Sequence, residues 1–86
     1  MEKSDAELLE KIAKGDSKSF EILLAKYKNK VYGLCKKILH DKHLSEEISQ
    51  DVWLQVIQSA DSYKTKTTES ALPWIMVMAR NKCLNF

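Results

Sequence analysis

Three side chains near the carboxyl-terminal end of the chain have types and spacing suited to binding an unpaired nucleic-acid base. On a helix, at about 100° per residue, Trp74, Asn81 and Asn85 fall within about 40° of one another. An aromatic ring stacks on a base, and carboxamides hydrogen-bond with base edges. The preceding polar segment adds a ring and two cations: Tyr63, Lys64 and Lys66. The alternative is equally compatible with the sequence: Trp74 is a core residue and the asparagines are surface or capping residues.

A second pattern, between residues 45 and 60, predicts a helical face suited to docking onto a protein. Four residues project within about 60° of one another: Glu47, Asp51, Leu54 and Gln58. They lie opposite the predicted core positions Ile48, Val52 and Val56. An acidic strip that includes a leucine fits a basic helical surface, because charge steers the encounter and the leucine adds buried apolar area. The alternative is a solvated face with one exposed leucine, which is common in proteins.

The charges are distributed unevenly along the chain, although the net charge is only +2. Residues 18–40 contain six lysines and one glutamate, and residues 41–59 contain one lysine and four acids. Three of the lysines, Lys26, Lys30 and Lys37, project within about 40° of one another beside an apolar stripe. They form either a solvated edge or a track for phosphates.

Four helices are expected to position these residues in one domain, residues 1–86, of the all-α class. The composition favours a globular helical chain, since 44% of the 86 residues are hydrophobic and only two are glycine and one is proline. A stripe of apolar residues at steps of three and four marks the second helix most clearly. The compact bundle is predicted to have helices near 5–14, 17–40, 45–60 and 70–85.

Capping residues set the predicted ends of these helices. Ser4 and Glu7 have the spacing of a capping box, and Gly15 is placed to end the first helix. Asp16 or Ser17 can cap the second helix, and Ser45 or Asp41 the third. Residues 61–69 are polar and lack a helical period, which predicts a loop. Pro73 is tolerated in the first turn of the fourth helix.

Several classes of protein are disfavoured by what the sequence contains. Cys35 and Cys83 lie in apolar periodic stretches and are expected to be reduced core thiols. Their spacing from His40 and His43 matches no zinc pattern. No apolar run is long enough for a membrane span, so a cytoplasmic protein is expected. No P-loop or activated nucleophile is visible, so neither an enzyme activity, a cofactor nor a small-molecule substrate is expected.

Four motifs in order resemble region 2 of the extracytoplasmic-function (ECF) sigma factors, the sigma-2 domain of group 4 in the sigma-70 family. The first is D-x-E-L-L-x-x-I-x-x-G-D-x-x-x-F, from Asp5 to Phe20. E-E-x-x-Q-D-x-W and D-S-Y follow at 46–53 and 61–63, and W-I-x-x-x-A-R-N spans 74–81. The resemblance covers essentially the whole chain. It predicts a domain that binds and melts promoter DNA in transcription initiation.

The resemblance also implies the partners of the two candidate surfaces. The third helix would dock on the clamp helices of the RNA polymerase beta-prime subunit through Glu47, Gln50, Asp51 and Leu54, with Gln58 on the same face. The DNA partner would be the single-stranded non-template strand of the promoter minus-ten element. Its flipped base would enter a pocket framed by Tyr63 and Lys64, near Asn81. The neighbouring candidates are Lys66, Trp74, Arg80, Lys82 and Asn85. An anti-sigma factor is a further partner that the resemblance allows.

Two departures from the family pattern concern base recognition. Val77 stands where members often have arginine, and the segment 61–74 is slightly longer than usual. The sigma-4 domain of a complete factor is absent from this chain, so a fragment is expected. Two other functions remain open: a helix-turn-helix regulator that binds duplex DNA, and a helical adaptor that binds only proteins.

Overall fold

The computed structural model describes residues 3–63 and 70–86 of the chain. Its four helices are α1 (Asp5–Ala13), α2 (Ser17–Leu39), α3 (Lys42–Ser59) and α4 (Leu72–Leu84). A turn of 3-10 helix, Ala60–Ser62, extends α3. No strand occurs within the described ranges. The all-α prediction of about four helices is therefore confirmed.

The caps explain where α1 and α2 begin and end. The Ser4 hydroxyl accepts a hydrogen bond from the Glu7 amide at 3.2 Å, as the capping box predicts. Gly15 adopts a φ of 91°, a left-handed conformation that ends α1 at little steric cost. Asp16 caps α2 by accepting from the Lys18 amide at 3.2 Å. His40, with a φ of 54°, ends α2 in the left-handed region.

The observed start of α3 differs from the predicted one, whereas α4 lies within its predicted range. Helix α3 begins at Lys42 and not near residue 45, because Asp41 accepts a hydrogen bond from the Leu44 amide at 2.8 Å. Ser45, the other candidate cap, is buried inside the helix. Helix α4 begins at Leu72 and ends at Leu84, inside the predicted range of 70–85. Of the predicted loop 61–69, residues 61 and 62 form part of the 3-10 turn, and residues 64–69 lie outside the described ranges.

Helix α2 forms the centre of the bundle and packs against all three other helices. The ring of Phe20, near the start of α2, lies 6.1 Å from that of Trp53 on α3, so α3 runs back along α2. Tyr27 contacts Ser70 and Cys35 contacts Cys83, so α4 runs in the same direction as α2. The shared core includes these fully buried residues: Leu23, Val31, Val52, Val56, Ile75 and Ala79.

Cys35 and Cys83 are buried free thiols at the interface of α2 and α4. Burial, with the hydrogen bond to Cys35, raises the pKa of Cys83 to about 11. The thiolate is the reactive form of cysteine. Because both thiols are buried and the pKa of Cys83 is raised, we expect those of the native chain to react with an aromatic disulfide reagent at pH 8 about tenfold more slowly, or slower still, than those of the denatured chain. Rapid release of one equivalent of chromophore by native protein would contradict this prediction.

Candidate functional site

The outward face of α3 consists of the predicted acidic strip and its leucine. We call Glu47, Gln50, Asp51, Leu54 and Gln58 the α3 face; all five are exposed. The Leu54 side chain is 56% exposed, whereas Ile48, Val52 and Val56 are buried on the opposite side. The predicted orientation of the helix is thus confirmed. Ile57, which sequence reasoning missed, is also 41% exposed and enlarges the apolar part of this surface.

Trp74 and Tyr63 form an aromatic pair at the start of α4. Their ring centroids lie 5.0 Å apart with an interplanar angle of 61°, and both residues are half-buried against the core. Trp74 is therefore neither a fully exposed ring nor a fully buried core residue, the two alternatives that the sequence left open. Both rings are partly exposed to solvent. Lys64 and Lys66, two predicted DNA-binding residues, lie outside the described ranges.

The remaining candidates lie on the second half of α4. Arg80, Asn81 and Asn85 are exposed, and Lys82 is half-buried. Val77 and Leu84, at steps of three and four from Arg80 and Asn81, are 58% and 60% exposed. Because these positions recur at the helical period, they form one outward strip of cationic, amide and apolar groups. We call Val77, Arg80, Asn81 and Leu84 the α4 strip.

A cleft between α3 and α4 joins the two predicted sets of site residues. It has a volume of about 440 Å³. Its lining residues are Ile48, Asp51, Gln55, Asn81, Lys82, Asn85 and Phe86. Asp51 from the predicted polymerase set thus lies across the cleft from three residues of the predicted DNA set. The sequence did not indicate this juxtaposition, because it depends on how α4 is placed against α3.

The lysine group on α2 is only partly available for phosphates. Lys26 forms an ion pair with Asp5, with 2.6 Å between its ammonium nitrogen and Oδ1. The same ammonium group lies 5.2 Å from the centre of the Tyr27 ring. Lys30 and Lys37 are exposed. Lys26 is thus engaged inside the protein, while Lys30 and Lys37 fit the solvated edge that was one of the two alternatives.

Asp5 is the centre of a buried polar network that sequence reasoning missed. It is 3% exposed, and its Oδ2 accepts hydrogen bonds from the Tyr27 hydroxyl at 2.6 Å and the Ala71 amide at 2.7 Å. The Ser70 hydroxyl lies 3.0 Å from that of Tyr27 and accepts from the Leu72 amide at 3.1 Å. Burial tends to raise the pKa of Asp5, but the hydrogen bonds from Lys26, Tyr27 and Ala71 outweigh it and lower the pKa below 3.8.

This lowered pKa predicts a specific loss of stability in acid. At neutral pH, Asp5 is charged in the folded and unfolded chain, and its stabilising contribution is complete. As the pH falls through 3.8 towards the lower folded-state pKa, the unfolded chain binds the proton first, which favours unfolding. We expect the free energy of unfolding, measured with urea, to decrease less below pH 4 in Asp5→Asn than in the wild type. If the free energy of unfolding decreased equally below pH 4 in both proteins, the lowered pKa of Asp5 would be contradicted.

Neither a metal site nor a membrane span is evident in the described part of the chain. Within residues 3–63 and 70–86, no group of three or more His, Cys, Asp or Glu side chains is placed to hold a metal ion. None of the helices described there combines the length and apolarity needed to cross a bilayer.

Comparison with known proteins identifies the family. Residues 23–86, which include most of α2 and all of α3 and α4, match the family described as Sigma-70 region 2. The chain therefore belongs to the sigma-70 region 2 family. This match confirms the resemblance that the sequence motifs indicated.

The curated relatives are RNA polymerase sigma factors of greater length. The ECF RNA polymerase sigma factor SigK of Mycobacterium sp. (strain KMS) is 35% identical over 78 residues, which are 91% of this chain and 40% of that protein. SigK of Mycobacterium tuberculosis (strain ATCC 25177 / H37Ra) is 32% identical over 78 residues, 91% of this chain and 41% of that protein. The sigma-H factor of Pseudomonas aeruginosa is 23% identical over 84 residues, 98% of this chain and 42% of that protein. The chain thus spans about two fifths of the length of these relatives.

Proposed function

We propose that this chain acts in transcription initiation as the promoter-opening region of an ECF sigma factor. Its surfaces would bind RNA polymerase and the minus-ten element, and binding energy, not catalytic turnover, would drive strand opening. The observation that carries the proposal is the α3 face, where Leu54 is 56% exposed among acidic and amide side chains. Burial of this solvated leucine under a partner would lower the free energy of the complex.

The partner proposed for the α3 face is the pair of clamp helices of the beta-prime subunit. Acidic side chains at positions 47 and 51 steer association with a basic surface, and the apolar area of Leu54 and Ile57 slows dissociation. The buried side of α3 holds the helix rigidly against α2, so the face is organised before binding.

The partner proposed for α4 is the non-template strand of the minus-ten element. The α4 strip supplies a cation for phosphate and an amide for a base edge, and the Tyr63–Trp74 pair supplies aromatic surface for stacking. Flipping a base out of the duplex costs a few kcal/mol, and stacking with hydrogen bonds at the receiving surface offsets this cost. The chain would thus stabilise opened DNA and not duplex.

Titration with labelled oligonucleotides, with and without a beta-prime clamp-helix fragment, tests the proposal. The probes are a panel of short single strands that differ at one position of a minus-ten hexamer, and the matching duplexes. We expect fluorescence anisotropy to detect tighter binding to single strands, a preference within the panel, and a gain in affinity when the clamp fragment is present. Tighter sequence-specific binding to duplex would instead favour a helix-turn-helix regulator. Clamp binding without any DNA binding would favour an adaptor.

A further inference from the structure

The start of α4 is capped from two places: the nearby Ser70 hydroxyl accepts from the Leu72 amide at 3.1 Å, and a residue from the other end of the chain holds the Ala71 amide. The residue before the helix is Ala71, which has no side-chain acceptor, and Pro73 has no amide hydrogen. The Ala71 amide instead donates to the Asp5 carboxylate at 2.7 Å, across 66 residues of sequence. A carboxylate at this position also interacts favourably with the positive end of the helix dipole.

Two further contacts make this cap rigid. The Tyr27 hydroxyl links Asp5 to Ser70, with 2.6 Å to the Asp5 Oδ2 and 3.0 Å to the Ser70 Oγ. Lys26 holds the other carboxylate oxygen at 2.6 Å. Since the carboxylate is 3% exposed, solvent screens these interactions little, and α1, α2 and the start of α4 are held in one geometry.

From this geometry we infer that Asp5 is a positioning residue for base recognition: it fixes the first turn of α4 so that Trp74 meets Tyr63. Trp74 lies three residues after Ala71 in the turn that Asp5 caps, and its ring contacts Tyr63 at 5.0 Å. The inference rests on the proposed function, because the aromatic pair matters for function only if it receives a base. Asp5 lies outside the residues that match the Sigma-70 region 2 family, 23–86, and is not itself a DNA contact.

The test compares Asp5→Asn with Asp16→Asn. Both replace a carboxylate that caps a helix and has a lowered pKa, but the hydrogen bonds of Asp16 in the described structure go to Lys18 and Ser19 on α2. Each variant is studied as the full chain at a temperature where circular dichroism shows it folded. Tyr27→Phe, which removes only the bridging hydroxyl, is a second and milder variant.

The first readout does not involve DNA. We expect NMR spectra of Asp5→Asn to show a shifted Ala71 amide resonance and weakened contacts between the rings of Tyr63 and Trp74. Asp16→Asn should leave both signals as in the wild type. Unchanged Ala71 and ring signals in Asp5→Asn would overturn the inference, whatever the DNA measurements give.

The second readout is the ratio of affinities for the preferred single strand and a strand with one base changed. We expect this ratio to fall about five- to tenfold in Asp5→Asn, by roughly the effect of losing a helix cap, while affinity for the clamp fragment stays within about twofold. An equal loss in Asp16→Asn, or a parallel loss of clamp binding, would mean general destabilisation and overturn the inference. If the wild type shows no base preference, the proposed function fails, and the NMR comparison still decides whether Asp5 positions Trp74.

Discussion

Reversing the charge of Asp51 to lysine is expected to weaken binding to a beta-prime clamp-helix fragment by about 100-fold. The Asp51 side chain is exposed on the α3 face, one turn from Leu54, so the complex would cover it and bring it close to the partner's cations. Removing one member of a hydrogen-bonded charge pair at an interface costs about 2–5 kcal/mol. Placing a positive charge there adds repulsion to that loss. The dissociation constant, measured at two salt concentrations, checks the prediction.

Glu10→Lys is the matched control, because it makes the same charge change on α1. Glu10 is exposed and forms only a weak ion pair with Lys14 at 3.7 Å, so its replacement should leave the fold intact. Leu54→Ser removes the apolar contact without changing charge and should raise the dissociation rate more than it lowers the association rate. If Asp51→Lys and Glu10→Lys weaken binding equally, net charge and not the α3 face determines the affinity.

The parts of this structure that local periodicity determines were predictable from the sequence. The α2 stripe and the inward positions of α3 follow from apolar residues at steps of three and four, and they are buried as expected. The start of α3 was harder to predict from the sequence. Its first turn, from Lys42 to Ser45, contains one apolar residue, and the apolar period begins only afterwards. The cap chemistry of Asp41 decided the boundary there.

The parts that depend on contacts between distant residues were not predictable. The local sequence indicates only that Asp5 is an acidic residue in the first turn of α1. It gives no sign that Asp5 accepts a hydrogen bond from Ala71. The half-buried state of Trp74 depends on Tyr63, which belongs to a different element. The cleft that sets Asp51 across from Asn81 likewise requires the packing of α4 against α3. The relative positions of most candidate site residues depend on tertiary contacts of this kind.

The Asn81 side chain offers the sharpest test of base recognition. It is exposed on the α4 strip and at the edge of the cleft, so removing its amide leaves the core unchanged. A bidentate amide contact with a base edge contributes about 1–3 kcal/mol of discrimination. We therefore expect Asn81→Ala to reduce the preference among single-stranded minus-ten oligonucleotides by about 10- to 100-fold, measured as a ratio of dissociation constants. Asn29→Ala, at an exposed asparagine of α2, is the control.

Arg80 separates this base contact from simple charge attraction. Arg80 neighbours Asn81 on the same strip, but a guanidinium group that binds phosphate contributes equally to every sequence. Arg80→Gln should therefore weaken binding to all oligonucleotides alike and reduce the slope of log affinity against log salt by about 0.7, the value for one phosphate on a single strand. Asn81→Ala should leave that slope unchanged. If Asn81→Ala changed the slope and not the preference, α4 would bind only the DNA backbone, and base recognition would have to come from the Tyr63–Trp74 pair.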